Sequence, residues 1–126
     1  MLKFSDYKNL VNNNTKAPLV LYGAGLIGKL ILESLKQKNI NVDYFCDRDE
    51  AKYDTEIKNV KVISPTQLKD LDKKKNIFIC YYTFDSIANF LNESGFQNLY
   101  EGSELLNEDF VTNIANKTID VRSGYG

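Results

Sequence analysis

The apolar run Leu19-Val20-Leu21-Tyr22 leads straight into Gly23-Ala24-Gly25-Leu26-Ile27-Gly28, and this junction constrains the fold more than any other part of the chain. G-x-G-x-x-G has mechanical meaning when a strand precedes it and a helix follows. Gly23 then permits the tight turn, Gly25 lets a phosphate approach bare backbone, and Gly28 lets the helix pack close to the strand. The N–H groups at the helix start face the anion, and the helix dipole favours negative charge there. The segment reads as a nucleotide-binding turn with Gly23, Ala24, Gly25, Leu26, Ile27 and Gly28 as its binding residues; glycines that only pack a helix onto a sheet are the alternative.

The flanking sequence supplies the context. Ile27, Leu30, Ile31, Leu32 and Leu35 fall on one broad helical face, leaving Lys29, Glu33, Lys36, Gln37 and Lys38 mostly to solvent, with the helix ending near Asn39. A second strand, Val42 to Cys46, delivers Asp47 at the ~20-residue separation from the last glycine at which a carboxylate can accept hydrogen bonds from ribose hydroxyls. Arg48 reads either as a solvent-facing loop residue or as a partner for a 2′-phosphate. Lys29 is not in a Walker-type arrangement and reads as solvated.

With 126 residues the chain is long enough for one core without disulfides or metals. Sixteen basic against 17 acidic residues, a net charge of −1, give no field to attract nucleic acid or an anionic membrane. No segment approaches the ~20 apolar residues of a membrane span, and the start lacks the layout of a signal peptide, so a cytoplasmic location is expected. Histidine is absent, which removes the usual general base and the commonest zinc ligand. No catalytic and no metal-ligating residue is assigned. Cys46 and Cys80 end strands on either side of the first, roughly 9–10 Å apart and beyond disulfide reach, so both are expected as free buried thiols.

Elsewhere, Phe4, Tyr7, Leu10 and Val11 have the spacing of a short packing helix (residues 1–16) before the domain proper (17–102). After Asp47 a polar stretch gives way to Glu56-Ile57 and Val60-Lys61-Val62-Ile63 around Asn59, a hairpin-like excursion ending in an edge strand. Ser64-Pro65-Thr66-Gln67 carries a capping box with proline at the first helical position, predicting a helix over Pro65 to Leu71. Lys73-Lys74-Lys75 reads as a solvated loop. A buried strand from Asn76 to Tyr81 follows, then a helix containing Ile87, Phe90 and Leu91 that closes at Gly95, and a strand from Phe96 to Tyr100. Tyr81 and Tyr82 can stack on a base or sugar at the crevice rim or merely cap the sheet. The order predicts an α/β Rossmann-like three-layer sandwich with five parallel strands ordered 3-2-1-4-5 and a short hairpin insertion. Residues 103–126, with Leu105, Leu106, Phe110, Val111 and Ile114, suggest a terminal helical segment that caps the sheet, meets a partner or leads to a further domain.

Leu21 to Gly28, Tyr44-Phe45-Cys46-Asp47-Arg48-Asp49, Val60-Lys61-Val62-Ile63-Ser64-Pro65 and Gly95-Phe96 together resemble the small Rossmann-like domains of bacterial glycan-biosynthesis proteins. These include the N-terminal domain of sugar acyltransferases, the first domain of membrane-linked nucleotide-sugar dehydratases and the leading domain of some glycan methyltransferases. The resemblance implies a module that binds NAD or a uridine nucleotide or nucleotide-sugar without catalytic residues of its own. Gly23, Ala24, Gly25, Leu26 and Ile27 would contact the phosphates and Asp47 the ribose or uridine; Arg48 departs from the smaller or acidic residue usual there. A fragment of an NAD(P)-dependent oxidoreductase or of a SAM-dependent sugar methyltransferase, and a degenerate scaffold for assembly, are the alternatives. A homo-oligomer and a fused or separate enzyme domain are both open as partners.

Overall fold

The computed structural model describes residues 2–3, 6–7, 19–81, 85–102 and 105. Within them the chain runs β1 (Leu19–Tyr22), α1 (Leu26–Gln37), β2 (Tyr44–Cys46), a 3₁₀ turn (Glu50–Lys52), β3 (Glu56–Ile57), β4 (Val60–Ile63), α2 (Pro65–Lys69), β5 (Asn76–Ile79), α3 (Asp85–Glu93) and β6 (Leu99–Glu101). The sheet order is β3-β4-β2-β1-β5-β6. β1 pairs in parallel with β2 and β5, β2 with β4, and β5 with β6. These five strands have the predicted order.

The expectation of five parallel strands is corrected at the margin. Glu56 and Ile57 pair antiparallel with Lys61 and Val60, so the sheet is mixed and has six strands, and β4 is not its edge. Lys58 and Asn59 both take positive φ, 50° and 69°, as the two central residues of a type I′ hairpin turn must. Two residues are too few for a period-2 pattern to show.

Side chains of β1 alternate between two apolar layers. Leu19 and Leu21 join Ile31, Leu32 and Leu35 of α1, with Phe45, Val62 and Phe78, on one face. Val20 and Tyr22 join Leu68 of α2 and Ile87 and Leu91 of α3, with Ile77, Ile79 and Phe96, on the other. Helices thus cover both faces, which is why β1 and β5 are buried at every position.

Several expected boundaries move. β2 is shorter than Val42–Cys46, β5 stops at Ile79, and β6 is Leu99–Glu101, because pairing begins and ends where the neighbouring strand is in register. α1 ends at Gln37, followed by Asn39 at φ 59°. α2 ends at Lys69, and its cap is as predicted: Ser64 Oγ accepts from Gln67 N at 3.1 Å while Gln67 Oε1 accepts from Ser64 N at 2.9 Å. Leu30 is 44% exposed, off the buried face, where Gly28 and Ser34 sit instead. Of residues 1–16, Asp6 and Tyr7 are helical; Phe4, Leu10, Val11 and the terminal segment beyond Leu105 lie outside the described residues.

Lys73-Lys74-Lys75 is a loop, as predicted, but a tied one at the amino ends of the strands. Lys75 Nζ is 2.6 Å from Asp43 Oδ2, Lys73 lies over the Phe96 ring at 4.3 Å, and Asn98 Nδ2 donates to Lys74 O. This places the lysines at the end of the sheet opposite the glycine turn. Among the described residues no helix is long and apolar enough to cross a membrane.

Candidate functional site

Gly23 lies at the carboxyl end of β1, where the chain's strand order reverses between β2 on one side and β5 on the other. In open α/β sheets such a switch point leaves a crevice above the strand ends. Gly23 N donates to Cys46 O at 2.7 Å and Cys80 N to Tyr22 O at 2.9 Å, so both neighbouring strands hold the turn.

The three motif glycines are there for different reasons. Gly23 has φ 122°, a region that side chains disfavour, and a Cβ on it would lie 2.8 Å from the Tyr81 ring. A Cβ on Gly28 would fall 1.9 Å from Gly23 O, so the helix can approach the turn only without one. Gly25 is different. Its φ of −92° suits any residue, and a Cβ would meet no atom of the described residues within 4 Å. Lys29 N donates to Gly25 O at 3.0 Å to open the helical ladder, and no side chain caps the helix start. The first-turn N–H groups, which have no partner within a helix, therefore lie beside open space.

Asp47 is 5% exposed and bonded to the turn. Its Oδ2 accepts from Ala24 N at 2.8 Å and its Oδ1 from Asp49 N at 2.9 Å. Burial alone would raise this carboxyl, but the N–H donors of Ala24 and Asp49, with the Lys52 ammonium, outweigh it and hold the group below the usual carboxylate range. Each oxygen retains acceptor capacity beyond the bond it makes.

Lys52 was not singled out by the sequence. Its Nζ lies 3.7 Å from Asp47 Oδ2 and 3.5 Å from Ala24 O, so the N–H and the C=O of Ala24 are both addressed by the segment after β2. The signal that could have found it is Asp49, whose Oδ1 accepts from Ala51 N and caps the 3₁₀ turn carrying Lys52.

Arg48 is exposed, but it also lines a cavity of about 220 Å³ with Tyr22, Pro65, Ser86, Ile87 and Phe90, on the α2/α3 side of the sheet. Tyr22 adjoins Gly23, so this cavity is continuous in sequence with the turn. Tyr81 packs against the turn at Gly23, and Tyr82 lies outside the described residues. Leu26 is 74% exposed at the helix start and Ile27 is half-buried against the α1-side core. A larger hollow of about 770 Å³ lies along α3 and the β6 margin, lined by residues such as Asp85, Asn89, Asn92 and Gln97; it offers amide side chains but no glycine turn.

Cys46 and Cys80 are free and buried, as expected. Burial, then the neighbouring Asp47, pushes Cys46 up to about 12, and burial alone pushes Cys80 up, which removes thiolate character from both. Among the described residues no group of three or more His, Cys, Asp or Glu side chains could hold a metal ion.

The fold is shared with solved structures of low sequence identity. A Rex-family repressor, RSP, superposes with a TM-score of 0.60 at 13% identity over 93% of this chain and 68% of its own; RSP has also been solved with β-NAD⁺ and operator DNA. UDP-D-quinovosamine 4-dehydrogenase from Vibrio fischeri gives 0.58 at 21% identity, over 75% of this chain and 87% of its own. Perosamine N-acetyltransferase from Caulobacter crescentus, in complex with CoA and GDP-perosamine, gives 0.53 at 19% identity, over 64% of this chain and 40% of its own. These likenesses establish a Rossmann-like fold. No curated protein matches the sequence. The family model described as C2185-like, N-terminal, matches residues 15–98, which contain the glycine turn, Asp47, Arg48 and Lys52, and the chain belongs to that family.

Proposed function

We propose that this chain is a binding module that takes a nucleotide, either NAD or a uridine nucleotide or nucleotide-sugar, with its phosphates at Gly23–Gly28. The observation that carries the reading is Gly25. Nothing among the described residues requires a glycine there, since its φ is ordinary and a Cβ on it would meet none of them. A glycine that internal packing does not explain is explained by a group arriving from outside, beside uncapped N–H donors and the positive end of a helix. The structural likeness to nucleotide-binding proteins and the Asp47 position support the same reading. The cavity beside Tyr22 and Arg48 provides room for a base, and Arg48 stands at its rim. Service to an enzyme of bacterial surface-glycan synthesis, fused or separate, follows from the sequence resemblance.

The test is thermal unfolding of the purified chain with NAD, NADP, UDP, a UDP-sugar and S-adenosylmethionine. A ligand at 100 times its dissociation constant stabilises the fold by about 2.7 kcal/mol, a readily measured shift. NAD or a UDP compound should raise the midpoint, and Gly25→Val, which the open space accommodates, should fold normally and abolish the shift. No shift with any compound, or a full shift in folded Gly25→Val, overturns the reading.

A further inference from the structure

We infer that Lys52 is a specificity-determining residue that reads a ribose together with Asp47, the carboxylate accepting from one hydroxyl of the vicinal diol and the ammonium donating to the other. This deepens the nucleotide-binding reading and rests on it.

The placement follows from peptide geometry. A trans peptide points its C=O and the next N–H in opposite directions. The Lys52 ammonium sits at Ala24 O, 3.5 Å away, and therefore lies across that peptide from the Gly25 N–H. Lys52 thus faces away from the phosphate side of the turn and shares the tip of β2 with Asp47, 3.7 Å from Oδ2.

The ammonium is held but not consumed. Its contact with Ala24 O is at the outer limit for a hydrogen bond and that with Asp47, beyond that limit, is an ion pair only; it has three donors, and its side chain is 35% exposed on a flexible four-carbon stem. Asp47 does not rest on it alone, because Ala24 N and Asp49 N each donate to the carboxylate. Rotation of Lys52 uncovers the remaining acceptor positions of Asp47 while both N–H bonds to the carboxylate stay in place. The loop that makes this movement possible stays fixed, since Asp49 ties the 3₁₀ turn at one end and Lys52 N donates to Asp49 O at the other.

A hydroxyl pair matches an acceptor and a donor set side by side; a deoxy sugar leaves one of the two unanswered, and a buried group left without its partner is what makes such sites selective.

The experiment is titration calorimetry of the wild-type chain, Lys52→Gln and Lys52→Arg with UDP, 2′-deoxy-UDP and 3′-deoxy-UDP, and with ADP and its two deoxy counterparts. Wild type should prefer the ribonucleotide to at least one deoxy form by about tenfold. Lys52→Gln should erase that preference while leaving affinity for the deoxy form within about twofold, and Lys52→Arg should keep part of it. Equal wild-type binding of ribo and deoxy forms overturns the inference. A Lys52→Gln variant that weakens all six ligands equally also overturns it and makes Lys52 a brace of the turn. If wild type binds none of the six and no NAD or UDP-sugar either, the nucleotide-binding reading itself fails and the inference falls with it.

Discussion

Asp47 acts within the folded chain before any ligand arrives. Its folded-state pKa lies below the ordinary 3.8, so the stabilisation from its charged form is complete above the ordinary value and is lost as pH falls through the folded-state one. Asp47→Asn should therefore lower the urea midpoint at neutral pH and flatten its decline below about pH 4; an unchanged acid limb would show that another carboxylate governs it. The spacing of Gly23, Gly28 and Asp47 was legible because the turn, the close helix approach and the acid at the tip of β2 recur wherever this junction is built, whereas Gly25 was legible only as a member of the motif, since the fold itself does not call for it. That Asp47 would bond to Ala24 was not legible, because it depends on a rotamer and on an approach between segments 23 residues apart. Lys52 was hidden for a related reason: Arg48 to Thr55 has no apolar period, and the short turn that aims the lysine is set by the Asp49 cap alone.

At the level of elements, α2 was the most readable. Proline, capping serine and Gln67 specify its start without help from the rest of the fold, and both reciprocal hydrogen bonds are present. Ser64→Ala should cost about 1 kcal/mol, seen as a lower denaturant midpoint at constant m-value. The ends of β2, β5 and β6 were less readable because a strand ends where its partner does, a property of two segments. Leu30 shows the same limit on a helix. Its spacing fits the apolar face, but the helix is turned so that Gly28 can abut Gly23, and this rotation leaves Leu30 outside. The hairpin at Glu56-Ile57 and Val60–Ile63 was readable around Asn59, but not that its first arm joins the sheet as a strand, since two residues show no period and that place is made by the Lys58-Asn59 turn folding it back on β4.

For the whole molecule, order and direction of the five parallel strands could be read from alternating segment types, whereas the pairing of the hairpin's first arm into the sheet as an antiparallel sixth strand could not. β1 and β5 share a four-residue parallel ladder and sit between the two apolar layers. Amide hydrogen exchange should be slowest in these two strands, approaching the global unfolding limit, and fastest among strands in β3; uniform protection across the sheet would contradict this ordering. Sheet margins are where folded proteins meet by accident, since an unpaired strand offers a row of donors and acceptors to any passing chain. Here that margin is a two-residue strand, Glu56 with a charged, exposed side chain, followed by Lys58, which is ion-paired to Glu33. A second molecule arriving there finds too short a ladder to extend, so the small antiparallel insertion, which contributes little to the crevice, guards the parallel sheet against growing by strand addition on that side.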